Sequence, residues 1–265
     1  MKTKIISAAN QKGGVGKTTT LVNLGAELTR KRKVLVIDLD PQGNCSKTLT
    51  GQRDFKFEET VAALFDKPKV VSIVDLIQPA KLNGNSIENL YVVPADVQLS
   101  RVIETSLTKI NRERILEKQL AKLGDTYDFI LLDTPPNLSL TTLNAIQASD
   151  LILIPIDSGA FSLDGISPLL EAVSEIKEDE GNYLILRNEV DSRNTIINEF
   201  IDEELEVVQD KLLPVSVRRS EHVGQANAVS SPVRFYKSGS LVNNDYRKLA
   251  AFLLNLMLYI GNTHE

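Results

Sequence analysis

The stretch Lys12-Gly13-Gly14-Val15-Gly16-Lys17-Thr18-Thr19 lies between an apolar run at residues 5–8 and a segment of helical periodicity that begins near Lys17. Glycines let backbone N–H groups turn inward onto phosphate oxygens, and the N-terminus of the following helix favours anions. In such a loop Lys17 reaches the β- and γ-phosphates, and the Thr18 hydroxyl ligates Mg²⁺. The stretch therefore predicts a loop that binds a nucleoside triphosphate. The predicted contacts are at Gly13, Gly14, Val15, Gly16, Lys17, Thr18 and Thr19.

The loop departs from the standard phosphate-binding pattern, which requires a glycine at position 11. This chain has Gln11 there, and it carries an additional lysine, Lys12. A glycine-rich turn alone is a weak signal, whereas two lysines at this spacing between a strand and a helix are much more specific. Because Lys12 is too close to Lys17 to serve the same phosphate without crowding, we expect Lys12 to act across a dimer interface.

Composition limits the classes of protein that the chain can represent. A length of 265 residues, 42% of them hydrophobic, allows one large α/β domain or two small ones. The single cysteine, Cys45, excludes an internal disulfide and a cysteine-rich metal site, which suits a reducing cytosol. No signal peptide is recognisable, and no apolar run reaches the roughly 18 residues of a membrane span. The net charge of −5 argues against a broadly basic nucleic-acid coat but permits a local basic patch.

Strand and helix patterns alternate along the chain. Continuous apolar runs such as residues 34–37 are typical of parallel strands that are covered on both faces. The alternation predicts an α/β fold, with a mostly parallel central sheet and helices on both faces. The predicted strands are 4–8, 34–37, 90–93, 127–133, 151–156, 183–186 and 212–217. The predicted helices are 17–31, 58–65, 97–123, 140–148, 163–178 and 195–208, with a turn at 83–85.

Acidic residues follow two of the predicted strands. Asp38 and Asp40 come at the end of 34–37, and a strand period of two places them on the same side, at the sheet edge where open α/β folds bind ligands. Asp38 would hold a water of the Mg²⁺ shell, and Asp40 would position and polarise the attacking water. Asp133 follows another apolar strand and is a third candidate for the metal site. The alternative is that these acids are solvated strand ends.

The loop resembles the deviant Walker A form of the ParA/MinD family of P-loop ATPases. The resemblance extends over nearly the whole chain, through 9–11, 38–44, 133–138, 143–145 and 163–165, and it looks like a ParA-type (Soj-like) partition ATPase. It implies a P-loop NTPase fold that hydrolyses ATP with Mg²⁺, with Lys12, Lys17 and Asp40 in catalytic roles. It also implies an ATP-dependent homodimer in which Lys12 crosses to the partner's phosphates.

The same resemblance implies nonspecific binding of double-stranded DNA and a ParB-like partner that stimulates hydrolysis. We therefore expect a cytoplasmic, nucleoid-associated protein that does not bind membranes. Because the chain starts directly at the ATPase strand, we expect residues 1–265 to form a single domain without a separate N-terminal DNA-binding domain.

The C-terminal third departs further from the family pattern. Family members commonly show I-P-R-N-V-R-L where this chain has Leu-Pro-Val-Ser-Val-Arg-Arg at 213–219. In the family, the arginines that match Arg193 and Arg218 contribute to DNA binding, and Arg219 lies beside them; the alternative is that these arginines are solvated. Weaker candidates for DNA contacts are Lys237, Arg247 and Lys248. For the adenine we expect contacts from the backbone around 214–217 and from Asn188, with Pro214 and Val217 as the named contacts.

Two other functions share the deviant loop. One is a MinD-like positioning ATPase at membranes, whose C-terminal helix is basic as well as apolar. The apolar run at 249–260 of this chain is too short to span a membrane and lacks a basic face, so we expect it to pack in the core. The other is a reductase of the iron-protein type, which needs two cysteines per subunit for a bridging cluster, and this chain has only Cys45.

Overall fold

A seven-stranded sheet forms the centre of the protein. The computed structural model describes residues 2–106, 111–157, 163–178 and 181–262, with side chains at all of these except 163–165 and 258–262. The strands are β1 (Lys4–Ala8), β2 (Val34–Asp38), β3 (Gln78–Leu82), β4 (Asn85–Val93), β5 (Phe129–Asp133), β6 (Leu151–Ile156) and β7 (Tyr183–Arg187). Their order in the sheet is β3-β4-β2-β5-β1-β6-β7, and every neighbouring pair is parallel except β3 with β4.

Helices connect the parallel strands. They are α1 (Lys17–Leu28), α2 (Asn44–Thr50), α3 (Val61–Asp66), α4 (Ile73–Leu76), α5 (Gln98–Thr105), α6 (Ile115–Leu120), α7 (Leu140–Ala148), α8 (Leu163–Lys177), α9 (Thr195–Glu204), α10 (Glu221–Ala228), α11 (Val233–Tyr236) and α12 (Leu241–Asn262). Short 3₁₀ turns lie at Phe57–Glu59, Arg112–Arg114, Ala121–Leu123 and Glu206–Lys211. The predicted helix at 140–148 and the predicted strands at 4–8 and 151–156 are confirmed at both ends.

Both faces of the sheet are buried, as the sequence predicts. All five residues of β2 are buried. Val34 and Val36 pack in a core that includes α1 and α12, whereas Leu35 and Ile37 pack in a second core that includes α3 and α5. Since alternate residues of a strand point to opposite faces, the two cores lie on opposite sides of the sheet. The predicted α/β fold is therefore confirmed.

Helix α12 packs along α1 on one face of the sheet. Leu249, Leu253 and Met257 are at most 1% exposed, so core packing of the C-terminal run is confirmed as far as residue 257. A Cβ added at Gly25 of α1 would lie 3.3 Å from the Leu131 side chain, which shows how closely α1 approaches the sheet. Within the described residues, no helix has the length and apolar character needed to cross a membrane.

The sheet contains a hairpin that the sequence reveals only in part. The predicted turn is confirmed, because Asn83 and Gly84 both have positive φ values, of 51° and 82°. Strand β3 was not predicted, and β4 begins at Asn85 rather than at residue 90. Strand β3 lies at the sheet edge and contains Pro79, which an edge strand tolerates but which obscures a strand pattern.

Three predicted helices are too long. The prediction of one helix over 97–123 is wrong, because α5 ends at Thr105 and Asn111 has a left-handed φ of 54° before α6 begins. Helix α1 ends at Leu28 rather than at residue 31; Arg30 lies beyond it and pairs with Glu27. Helix α9 ends at Glu204 rather than at residue 208, and a 3₁₀ turn continues from there.

The predicted strand at 212–217 is also wrong. This segment runs beside β7, where Leu213 N donates to Ile185 O and Val217 N donates to Arg187 O. It makes only an isolated bridge to β7, at Leu212. Pro214 interrupts the segment, and a proline has no N–H for a continuous ladder. The segment is consequently an extended connection at the sheet edge.

Candidate active site

The site lies where β1, β2 and β5 end. Strand β5 is between the other two, and its last residue, Asp133, is in register with Ala8 of β1 and with Asp38 of β2. The glycine-rich loop follows β1 directly and leads into α1. Because parallel strands present their carboxyl ends at one edge, the topology brings the loop and the acids together.

Glycines shape the loop. Gly14 and Gly16 have φ values of 81° and 82°, a left-handed conformation that glycine adopts without strain. A Cβ at Gly16 would lie 2.2 Å from Asn188 Nδ2, an impossible contact. Asn188 Nδ2 donates to Val15 O at 2.8 Å, so this side chain, directly after β7, holds the backbone of the loop in place.

Lys17 lies inside the loop. Its Nζ donates to Asn10 O at 2.8 Å and to Lys12 O at 2.9 Å. Burial lowers the pKa of Lys17, while the negative charges of Asp133 and Asp40 oppose that change. Among the described residues the ammonium donates only to carbonyl oxygens, while the acids act on it from a distance, so it remains able to bind phosphate.

Asp38 is fully buried and accepts three hydrogen bonds. Ser46 donates to Asp38 Oδ2 from both N (2.8 Å) and Oγ (2.6 Å), and Asp40 N donates to Asp38 Oδ1 at 3.1 Å. Burial raises the pKa of Asp38 to about 7, although the hydrogen bonds from Ser46 and Asp40 lower it. Asp40 is 9% exposed, and its carboxylate accepts a hydrogen bond from Gln42 N at 2.9 Å.

Asp133 differs from Asp38, because neither of its buried carboxylate oxygens has a hydrogen-bond partner of good geometry within the described residues. Burial raises the pKa of Asp133 well above its usual range, the charge of Asp38 raises it further, and the nearby Thr18 hydroxyl lowers it. Magnesium prefers oxygen ligands, typically one or two carboxylates combined with substrate phosphates and water. An unpartnered carboxylate beside a hydroxyl of the phosphate loop fits that requirement.

No group of three or more His, Cys, Asp or Glu in the described part of the chain forms a metal site by itself. The predicted metal residues Thr18, Asp38 and Asp133 are nevertheless brought to one place, at the start of α1 and the ends of β2 and β5. This arrangement suits a Mg²⁺ ion that arrives with the nucleotide rather than one held by a complete protein cage.

Lys12 lies at the outer edge of the loop. Its Nζ is 3.1 Å from Asp157 Oδ1, and the side chains of Lys12 and Asp157 are 42% and 22% exposed. Its backbone N donates to Asn10 Oδ1 at 2.9 Å. The two lysines of the loop therefore occupy different environments, with Lys17 buried and Lys12 near the surface.

The predicted adenine contacts lie in two different clefts. Asn188 and Val217 line a cleft of about 250 Å³ together with Thr19 of the loop. Asn188 Oδ1 is buried and has no hydrogen-bond partner among the described residues, which leaves an acceptor at this cleft. Pro214 is exposed and lines a different, larger cleft.

That larger cleft, of about 960 Å³, contains the predicted DNA-binding residues Arg193, Arg218 and Arg219 together with Lys248, and we call it the arginine cleft. Arg218 Nε and Nη2 donate to the carboxylate of buried Asp245 at 2.6 and 3.0 Å. Arg193 donates in the same bidentate way to Asp191, at 2.8 and 2.6 Å. Arg219 is exposed and forms no ion pair within the described residues.

Three residues of the site were missed in the sequence. Asn10 supports the loop through Lys12 N and donates to Pro155 O at 2.9 Å, and it lies in the segment 9–11 that carries part of the family resemblance. Ser46 donates to Asp38 and lies two residues beyond the 38–44 resemblance. Asp157 directly follows β6, so its place after an apolar strand was the available signal.

A parallel sheet, a glycine-rich loop before α1 and acids at the ends of adjacent strands define a P-loop nucleoside triphosphatase. Residues 3–186 match the family described as "AAA domain". The chain is 33% identical to the sporulation initiation inhibitor protein Soj of Bacillus subtilis, over 93% of this chain and 96% of that protein. It is 34% identical to the chromosome partitioning protein ParA of Myxococcus xanthus, over 95% of this chain and 88% of that protein.

A solved structure of cobyrinic acid a,c-diamide synthase from Mycobacterium smegmatis, with bound ADP and magnesium, is 28% identical with a TM-score of 0.76, covering 95% of this chain and 94% of that one. The similarity to Soj and ParA extends over nearly the whole chain. The protein therefore belongs to the Soj/ParA family of P-loop ATPases.

Proposed function

We propose that this ATPase segregates replicated DNA as a plasmid- or chromosome-partition protein, with residues 1–265 acting as a single ATPase domain. The observation that carries the proposal is the similarity to Soj and ParA over 93% and 95% of this chain, which extends far beyond the phosphate loop. A shared loop alone would support nucleotide binding and nothing more.

ATP and Mg²⁺ are the cofactors of this reaction. Bound Mg²⁺ would supply positive charge that stabilises phosphoryl transfer. The Thr18 hydroxyl and the Asp133 carboxylate, which lacks a hydrogen-bond partner of good geometry in the described residues, would be its ligands. Asp38, which is in register with Asp133, would hold a water of its shell.

Lys17 and Asp40 have separate roles in hydrolysis. Lys17 exchanges its contacts with Asn10 O and Lys12 O for phosphate oxygens, which compete well because they are charged. Asp40 is partly accessible and retains carboxylate lone pairs beyond the one that Gln42 N occupies, so it orients the attacking water.

Lys12 acts between subunits of an ATP-dependent homodimer. The exposed position of its side chain and its pairing with the partly exposed Asp157 support this role, because an ion pair near the surface contributes little and exchanges easily. ATP at the interface would offer Lys12 a more highly charged partner than Asp157.

The arginine cleft supports binding to double-stranded DNA through phosphate contacts. Arg219 and Lys248 are its cations without an ion pair in the described residues, whereas Arg193 and Arg218 are each paired with a carboxylate. A protein of net charge −5 needs a concentrated positive face for such binding, and a dimer would present two copies of the cleft. Contacts to phosphates carry little sequence preference.

A ParB-like DNA-binding protein would stimulate hydrolysis, and DNA binding would place the ATPase on the nucleoid.

The MinD-like alternative requires an apolar helix that is available to a membrane. Within the described side chains, the apolar residues from Leu249 to Met257 of α12 instead pack in or against the core that includes α1, with Leu249 and Leu253 fully buried.

The test is the nucleotide dependence of DNA binding by the wild-type protein. Binding of random-sequence duplex DNA should require ATP, should be absent with ADP, and should weaken with salt, because phosphate contacts release counterions. Lys12→Ala should bind ATP but lose dimerisation and DNA binding together. The exposed Lys122→Ala serves as a matched control for the loss of one surface charge.

Equal binding of DNA with and without nucleotide would contradict the proposed switch. An equal loss of ATP affinity and dimerisation in Lys12→Ala would contradict the interface role of that lysine. Sedimentation with anionic lipid vesicles in the presence of ATP, without DNA binding, would favour the MinD-like alternative.

A further inference from the structure

The Asp38 carboxylate is oriented by the segment that follows it. Its Oδ2 accepts hydrogen bonds from both the N and the Oγ of Ser46, and its Oδ1 accepts one from Asp40 N. Asp133, at the end of the neighbouring strand, has no hydrogen-bond partner of good geometry in the described residues. The two buried acids of the site are therefore held differently, and Ser46 accounts for most of the difference.

The Ser46 hydroxyl is fixed by a second contact. Ala95 N, two residues after β4, donates to Ser46 Oγ at 2.8 Å. A hydroxyl has one proton to donate and lone pairs to accept with. Because Ser46 Oγ accepts from the Ala95 N–H, its own proton is directed to Asp38. The result is a buried chain from Ala95 through Ser46 to Asp38 with a single arrangement of its donors.

Packing keeps this chain in place. Gly43, at the start of α2, has a φ of 61°, and a Cβ there would lie 2.7 Å from Ala95 O. Within α2, the buried side chains of Cys45 and Leu49 pack in the same core as Leu90 of β4. Helix α2 is therefore pressed against the end of β4, and Ser46 has little freedom to move independently of it.

We propose that Ser46 is a positioning residue for ATP hydrolysis, because its hydroxyl, held by the Ala95 N–H, fixes the orientation in which the Asp38 carboxylate meets the Mg²⁺–ATP complex. Ser46 takes no part in the chemistry. It acts through Asp38 in the way that outer partners orient the groups around a metal ion. Through Ser46, the segment between β2 and β4 helps to orient a carboxylate of the active site.

The first test compares Ser46→Ala with Thr50→Ala. Thr50 is the matched control, because it is a buried hydroxyl one turn along α2 that donates to Ser46 O and does not contact Asp38. Ser46→Ala should lower kcat and raise the Mg²⁺ concentration for half-maximal activity, each by about 10- to 100-fold. ATP binding measured without Mg²⁺ should be unchanged. Ser46→Thr, which keeps the hydroxyl, should restore both values.

A second readout does not depend on activity. Exchange of the Ala95 amide hydrogen, measured by NMR in the nucleotide-free protein, should accelerate in Ser46→Ala and remain slow in Thr50→Ala and Ser46→Thr. If Ser46→Ala does not fold, Ser46→Cys replaces it, because a thiol fills similar space but donates and accepts weakly.

A purely structural role for Ser46 predicts a different result. Ser46→Ala and Thr50→Ala would then lower Tm alike while kcat and the Mg²⁺ dependence of the folded protein stayed at wild-type values, and this would overturn the proposal. Unchanged exchange of the Ala95 amide in Ser46→Ala would also overturn it, because the hydrogen-bond chain would not be needed to hold α2 to β4.

Discussion

The phosphate loop and the arginine cleft both concentrate positive side chains, but different groups hold them. In the loop, Lys17 contacts the carbonyl oxygens of Asn10 and Lys12. In the cleft, Arg193 and Arg218 each contact a carboxylate. A carbonyl leaves the charge of a cation intact, whereas a carboxylate cancels it. The charge available to an anionic ligand is therefore what remains after pairing, not the number of basic residues.

The largest effect is expected in the active site, where each charged group has its own role. Asp40→Ala should reduce kcat by about 10²- to 10⁴-fold, because the attacking water loses the carboxylate that orients it. ATP binding should persist, since Lys17 and the loop are unchanged, and the ATP-bound dimer should accumulate in gel filtration.

Asp40→Asn is the control for the local turn, because an amide oxygen still accepts the hydrogen bond from Gln42 N. It should lose hydrolysis as Asp40→Ala does, while the fold stays at wild-type stability. A variant that remained monomeric with ATP, under conditions where the wild-type protein dimerises, would contradict the assignment of Asp40.

A smaller effect is expected from the backbone that shapes the loop. Alanine at Gly14 or Gly16 should destabilise the protein by about 1–2 kcal/mol, because both positions are left-handed. Gly16→Ala should cost about 1–3 kcal/mol more, since its Cβ would displace Asn188 Nδ2 and leave Val15 O without that donor. Around Gly14 the same Cβ would meet nothing within 4 Å.

Urea unfolding of the nucleotide-free variants measures this difference, and ATP affinity should fall in the same order. Equal free energies of unfolding for the two variants would show that the contact with Asn188 does not define the loop. The pair of variants thus separates the intrinsic strain of the loop backbone from the support that the Asn188 side chain gives to the loop.

The loop and the sheet could be predicted because their signals are local. The phosphate loop, the apolar runs of β1 and β6 and the aspartates after β2 and β5 are each encoded within a few neighbouring residues. The strand predictions failed where local signals are weak, as in β3 with its Pro79, or where an extended segment forms no continuous ladder, as at 212–217.

The partners of charged residues were harder to predict, because they come from distant parts of the chain. Arg218 meets Asp245 across 27 positions, and Lys12 meets Asp157 across 145. Nothing in the spacing of these residues indicates such contacts. The structure brings the three candidate arginines to one cleft, but the carboxylates that pair with Arg193 and Arg218 were visible only in the structure.

The smallest expected effect tests that neutralisation directly. Pairing with Arg193 lowers the pKa of Asp191 to about 2, so this carboxylate is ionised at every pH at which the protein would be assayed. Asp191→Asn removes the charge while keeping an acceptor for Arg193. Affinity for random-sequence duplex DNA in ATP should rise, and the slope of log affinity against log salt should steepen by about one unit per subunit.

Two further variants show whether Arg193 is responsible. Asp210→Asn, which removes an exposed acid that lies beside Lys211 and outside the arginine cleft, controls for the change in net charge. If Asp191 acts only by masking Arg193, the gain in affinity should disappear in the double variant Asp191→Asn/Arg193→Ala, because no cation is left to release. A gain that survives in the double variant would mean that Asp191 repels DNA by itself and that Arg193 makes no phosphate contact.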